Sequence, residues 1–236
     1  MNRKTLSAAI STTLPVMMGY LSIGMAFGLM LQAVGYNFIW AFFMSVTIYA
    51  GSGQYLGVQL LSAGTALAQV ALLTFLINFR HVVYGLSMFD KFRGMGKRKL
   101  YMIFALTDET YALLSSASPP PGVERDTYYF LIALLDQSYW IVGSVLGGII
   151  GSLLNFNTQG IDFAMTALFI VICIDQWRAY PAHASAVIGA GCTVISLLIF
   201  GPSNMLLPAL GAIIALLLAF RNRLDNQKQR EAEKWL

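Results

Sequence analysis

Residues 5–79 read TLSAAISTTLPVMMGYLSIGMAFGLMLQAVGYNFIWAFFMSVTIYAGSGQYLGVQLLSAGTALAQVALLTFLINF, and none of them is Asp, Glu, Lys or Arg. A water-facing surface carries charge on almost every turn, so most of this stretch does not meet water. As one straight helix it would run about 112 Å at about 1.5 Å per residue. A hydrocarbon core is only ~30 Å thick. The chain must therefore enter the membrane, turn and enter again.

The rest of the sequence agrees. Further charge-free runs cover Gln137–Ile161 and Ala179–Phe220. Hydrophobic residues make up 57% of the 236, charged residues 11%, and the mean hydropathy is +0.67. Only helices and closed barrels satisfy the backbone in lipid. Barrel strands alternate apolar and polar residues, whereas these runs are continuously apolar. The expectation is an all-α integral membrane protein forming one transmembrane domain over 1–236, a bundle of about seven helices with eight as the alternative.

The basic balance does not indicate nucleic acid. Lys91, Arg93, Lys97, Arg98 and Lys99 lie in one short loop, 90–99, and Arg221, Arg223, Lys228, Arg230 and Lys234 in the tail, 221–236. Short basic segments beside spans mark the cytoplasmic side, so both are expected there. Cys173 and Cys192 sit in apolar runs and read as small thiols rather than a disulfide. The apolar run after Arg3 and Lys4 is too long for a cleaved leader and reads as the first span.

Turn residues divide the chain into candidate helices at Leu14–Val34, Phe38–Leu61, Ala66–Phe89, Leu100–Ser118, Tyr128–Leu154, Ile161–Trp177, His183–Phe200 and Asn204–Phe220. Parity is a constraint. With the N-terminus inside, three full crossings would put the 90–99 loop outside, against its charge. Either an early segment is re-entrant and a later one also fails to cross, or the N-terminus is outside and Leu100–Ser118 does not span. The second alternative needs one irregular segment and is preferred. Gly24 and Gly28, like Gly143, Gly147 and Gly151, recur every fourth residue, the spacing that lets membrane helices pack closely.

Four polar constellations interrupt the apolar background. Gly51-Ser52-Gly53-Gln54-Tyr55 sits mid-way along a candidate span, and its glycines each lower helix propensity by about 1 kcal/mol. A helix broken there exposes amides that must face protein or a cavity. The freed N-terminus is positive and suits a carboxylate, with Ser52 and Gln54 adding neutral hydrogen bonds. The competing reading is a tight helix crossing at small residues. Asn78, Arg80 and His81 end the charge-free run. Arg80 either snorkels to headgroups or pairs inside the membrane, and His81 can relay a proton. Asp108 and Glu109 interrupt the fourth segment, either solvated at the interface or paired with Arg80 or His81. Asp136, followed by Gln137, lies deep in the fifth segment, where a carboxylate needs a partner, a proton or water. The sequence carries no metal-binding spacing, no phosphate-binding loop and no cofactor signature.

Leu14-Pro15, Tyr49-Ala50-Gly51-Ser52-Gly53-Gln54, Asn78-Phe79-Arg80-His81-Val82-Val83-Tyr84-Gly85 and Leu106-Thr107-Asp108-Glu109-Thr110-Tyr111 together resemble the AzlC family of branched-chain amino-acid exporters. The resemblance implies a multi-pass permease of the bacterial inner membrane that exports valine, leucine, isoleucine or similar hydrophobic amino acids. It also implies a small AzlD-type membrane partner and energy from the proton-motive force. On that reading Gly51–Gln54, Tyr55 and Asn78 bind substrate, with Phe42 and Phe43 beside its side chain. Arg80, His81, Asp108, Glu109 and Asp136 handle protons or pair charges, Asp108 or Asp136 taking the substrate ammonium. Protons, branched-chain amino acids and lipid are the other partners. Two readings of a different class are an intramembrane serine hydrolase using Ser52 with His81 or His183, and a scaffold subunit without transport activity.

Overall fold

The computed structural model describes residues 3–153, 170, 173, 174, 177, 183–202 and 205–221. They fall into two compact units, Met1–Met165 and Thr166–Leu236. Among the described residues every regular element is a helix, as the all-α reading requires. The first unit holds α1 (Arg3–Ala33), α2 (Phe38–Thr47), α3 (Gly51–Ser62), α4 (Leu67–Ser87), α5 (Arg98–Phe104), α6 (Asp108–Ser116) and α7 (Arg125–Leu153). The second holds α8 (Ala184–Phe200) and α9 (Leu206–Ala219), which pack on each other after a turn at Gly201, where φ is +71°. The expected helix Ile161–Trp177 lies mostly outside the described residues, as does the tail beyond Arg221. Cys192 is buried, Cys173 exposed, and both are free thiols.

In the first unit α1, α4 and α7 are long and apolar enough to cross a membrane, at 31, 21 and 29 residues. The α1–α7 pair forms its core. Gly24 faces Trp140, Gly143 and Ser144, Gly28 faces Ser144, Gly147 and Gly148, and Gln32 lies against Gly151. Both registers rise together, so the two helices run parallel. A Cβ on Gly143 would lie 2.8 Å from the Leu21 carbonyl oxygen and one on Gly24 3.1 Å from that of Trp140. The four-residue glycine rows therefore serve internal packing, since only glycine admits backbones this close.

The two remaining segments are hairpins. Phe38 of α2 lies against Gly148, near the end of α7, while the Val46 carbonyl accepts from Gln137 Nε2 at 3.3 Å. The chain then turns at Ile48–Ala50, with Tyr49 at φ +44°. It folds back so that Gln54 reaches Ser45 and Gly57 meets Met44. Helices of 10 and 12 residues span about 15–18 Å, half a bilayer core. A left-handed φ on a tyrosine costs about 1–2 kcal/mol, held in place because the side chain is buried.

The second hairpin enters from the opposite face. Arg98, at the start of α5, donates to Thr127 at 3.3 Å, and Lys91 donates to the Leu114 carbonyl near the end of α6. Both ends of α5–α6 thus lie beside the first turns of α7. Between them the chain reverses at Ala105–Thr107. Thr107 caps α6 by accepting from the Thr110 amide at 3.2 Å, and Asp108 and Glu109 fill the first turn. Acids there favour a helix start, which explains why Leu100–Ser118 is two helices rather than the single one expected.

The order is thus one crossing, a hairpin from the far face, a second crossing, a hairpin from the basic face and a third crossing. The parity constraint is met by the first of the two alternatives: Phe38–Leu61 and Leu100–Ser118 are both re-entrant. The N-terminus of α1 lies on the same face as the 90–99 loop. The preferred alternative, with the N-terminus opposite that loop, differs because hydropathy does not distinguish a hairpin from a span of equal length.

Candidate functional site between the hairpin tips

The two tips meet against the middle of α4 and α7, and the polar constellations converge there. Arg80 of α4 joins them: its Nη2 donates to Ser52 Oγ of α3 at 2.6 Å, and its Nη1 pairs with Asp108 Oδ2 of α6 at 2.7 Å. Tyr84 Oη, one turn along α4, donates to Asp108 Oδ1 at 2.6 Å, and its ring stacks on Tyr111 at 4.5 Å. Arg80 is paired rather than snorkelling, and of the two adjacent acids Asp108 is its mate. Charge-assisted bonds of this kind are shorter and stronger than neutral ones. A single guanidinium therefore holds the starts of two half-helices together.

Behind α3 the contacts are neutral. Gln54 is wholly buried, its Oε1 accepting from Trp140 Nε1 at 2.9 Å and its Nε2 donating to Ser45 Oγ at 3.2 Å. Tyr55, also buried, donates to the Ile23 carbonyl at 2.6 Å and packs edge-on against Phe27. These two residues, expected to touch substrate, also anchor α3 to α1, α2 and α7. Gly51 faces the Trp140 ring, and Gly53 faces Asn78, where a Cβ would come within 3.0 Å of its Nδ2. Phe42 and Phe43 are exposed on α2. The His81 ring lies edge-on to Tyr84 at 5.9 Å.

Asp136 is wholly buried on α7 and accepts from Thr110 Oγ1 at 2.9 Å. Glu109 accepts from Tyr20 Oη of α1 at 2.8 Å. Gln137 accepts from Tyr101 Oη at 2.7 Å. Among the described residues five buried side-chain atoms lack a hydrogen-bond partner. Four of them belong to these constellations: Tyr49 Oη, Asn78 Oδ1, Arg80 Nε and Asp136 Oδ1. Each unsatisfied buried polar group costs about 1–3 kcal/mol and calls for an explanation such as a ligand or water. A donor on Arg80 and acceptors on Asn78 and Asp136 suit a small zwitterion.

The sequence reading quoted Tyr49, Tyr84, Thr107 and Thr110 within its motifs but gave them no role, and it did not single out Tyr20 or Trp140 as functional neighbours. Lone hydroxyls in apolar helices carry no local mark; only Thr107, four residues before Tyr111 and directly before two acids, has the pattern of a helix cap. Among the described residues no hydrogen bond joins Ser52 to His81; the Ser52 oxygen accepts from Arg80.

Half-helices whose tips meet at buried polar side chains inside an all-α membrane protein are one arrangement that transport proteins use. Sequence comparison agrees. The AzlC protein family matches residues 15–154. Branched-chain amino acid transport protein AzlC of Bacillus subtilis (strain 168) is 40% identical over 218 residues, 92% of this chain and 86% of the relative. An uncharacterized membrane protein of Helicobacter pylori (strain J99) is 41% identical over 222 residues, 94% and 97% of the two chains. Inner membrane protein YgaZ of Escherichia coli (strain K12) is 28% identical over 196 residues, 78% and 80%. No solved structure matches. The chain is a membrane protein with an amino-acid transport role, and it belongs to the AzlC family.

Proposed function

We propose that the protein is a secondary transporter exporting branched-chain or other hydrophobic amino acids across the bacterial inner membrane, driven by the proton-motive force. The observation that carries this reading is the set of unpartnered buried atoms on Arg80, Asn78 and Asp136 beside the broken α2–α3 hairpin. The substrate carboxylate takes the free amides at the start of α3 and Arg80 Nε. The ammonium takes Asp136 Oδ1. Because a proton and an ammonium compete for that oxygen, proton arrival releases substrate, which is the condition for exchange.

By the rule that short basic segments mark the cytoplasmic side, the 90–99 loop and the basic tail from 221 are each read as cytoplasmic. The exposed apolar face of α4, including Phe75, Phe79, Val82 and Leu86, is covered by lipid and by a small AzlD-type subunit. Cells loaded with a valine-containing dipeptide provide the test. Removing the protein slows valine efflux, whereas unchanged efflux refutes the assignment. Asp136→Asn keeps the shape and the Thr110 contact but removes the charge. It is expected to lower efflux by on the order of 10–100-fold, the scale of losing one charge-assisted bond, at unchanged protein level in the membrane. Normal efflux in that variant removes Asp136 from substrate and proton binding.

A further inference from the structure

Three hydroxyl oxygens form an unbroken file between two carboxylates that are on different helices. Tyr20 Oη lies 2.8 Å from Glu109 Oε2 and 2.5 Å from Thr107 Oγ1. Thr107 Oγ1 lies 3.0 Å from Thr110 Oγ1, which lies 2.9 Å from Asp136 Oδ2. Glu109 is the exposed end; Tyr20, Thr107, Thr110 and Asp136 are all buried. The Thr110 amide, donating to Thr107 Oγ1, fixes the middle of the file.

Counting hydrogens constrains its state. There are four contacts and three hydroxyl hydrogens. With both carboxylates ionised, one contact sets two bare oxygens against each other. With both protonated, one contact holds two hydrogens. One added proton fills every contact once, within the one-donor, two-acceptor capacity of each hydroxyl.

We propose that Glu109 and Asp136 share a single proton through Tyr20, Thr107 and Thr110, and that this file carries the proton to the buried acid. In transfer, Glu109 gives its proton to Tyr20, Tyr20 to Thr107, Thr107 to Thr110 and Thr110 to Asp136. Four O–H bonds break and four form. The negative charge moves from Asp136 to Glu109, and no other reactant is consumed. The groups facing Asp136 are Glu109 from α6, Tyr101 from α5 and Tyr49 from the α2–α3 turn. Those facing Glu109 are Tyr20 from α1, Tyr49, Arg80 from α4 and its neighbour Asp108. Tyr49 also faces Thr110, a member of the file; among the described residues no hydrogen bond carries it on to Glu109.

The proposal deepens the reading of Asp136 as the coupling acid and rests on it for its meaning in transport. Its test needs no substrate. The purified protein in lipid nanodiscs is followed by infrared spectroscopy after a pH jump, with the Asp136 and Glu109 carboxylic-acid bands assigned through Asp136→Asn and Glu109→Gln. Tyr20→Phe keeps the ring that packs edge-on against Trp140 at 5.4 Å, and Thr110→Val keeps the side-chain shape. Each is expected to slow the Asp136 band by on the order of 10-fold or more, the scale of losing a positioned proton-transfer group. Thr110→Ser restores the wild-type rate. Unchanged rates in both folded variants overturn the proposal. If neither variant folds, Glu109→Gln decides: a shifted Asp136 titration supports the shared proton, and an unmoved one refutes it. Failure of the infrared test leaves the export assignment to the efflux assay, and failure of efflux leaves the file standing.

Discussion

Arg80→Ala is expected to abolish efflux while the protein still reaches the membrane. The substitution removes the link from Ser52 to Asp108 and leaves the Asp108 carboxylate between two helix starts with only Tyr84 as partner. Losing one member of a desolvated pair costs about 3 kcal/mol or more, which corresponds to about 100-fold in an equilibrium that depends on it. Arg80 is 39% and Asp108 33% exposed, so screening by water sets that figure as an upper limit. Arg80→Lys keeps the charge but loses the fork that reaches both partners at once, and an intermediate rate is expected. Efflux from dipeptide-loaded cells, normalised to membrane protein, measures both variants against the parent. Full activity in Arg80→Ala would show that the two hairpin tips need no cationic clasp.

Gly28→Val is expected to prevent folding of the first unit. A Cβ on Gly28 would lie 2.5 Å from the Gly148 amide nitrogen and 2.9 Å from the Gly147 carbonyl carbon. Both are backbone atoms of α7, so the helices must separate rather than a side chain rotate. Overpacking of a dense core costs about 1–3 kcal/mol when side chains can adjust, and here they cannot. The control is Gly19→Ala on the same helix, where an added Cβ meets nothing within 4 Å. That change is expected to be neutral or to gain up to about 1 kcal/mol of helix propensity. Thermal aggregation in detergent compares the two variants directly. Equal stability of Gly28→Val and the parent would mean that α1 and α7 do not cross at these glycines.

Much of this site was legible in the chain. Gly51-Ser52-Gly53 announced a break because two glycines weaken a helix that lipid would otherwise enforce, and the break falls immediately before them, at Ile48–Ala50. Arg80 and the acids announced a pair because isolated charge is unstable in hydrocarbon. Which acid would answer Arg80 was not legible, since Asp108 and Glu109 are adjacent and project about 100° apart on a helix. The structure gives Asp108 to Arg80 and Glu109 to Tyr20. Gln54 and Tyr55 were read as substrate contacts from their place beside the break. The structure adds that both are buried and tied to other helices, because Trp140 and Ile23 reach them from far away in sequence.

The amino-acid sequence by itself settled that the chain is helical and lies in a membrane, that it breaks beside Gly51–Gly53, and which glycines allow close packing. These are local consequences of hydropathy, propensity and side-chain size. Tertiary structure alone decided that Phe38–Leu61 and Leu100–Ser118 turn back instead of crossing, that they enter from opposite faces, and that Tyr20, Thr107 and Thr110 fall into line between two carboxylates. Lipid and protein interior are equally apolar, so no amphipathic stripe marks the direction an apolar half-helix takes after its break. That direction is set by hydrogen bonds and backbone contacts to α4 and α7, made between residues dozens of positions apart.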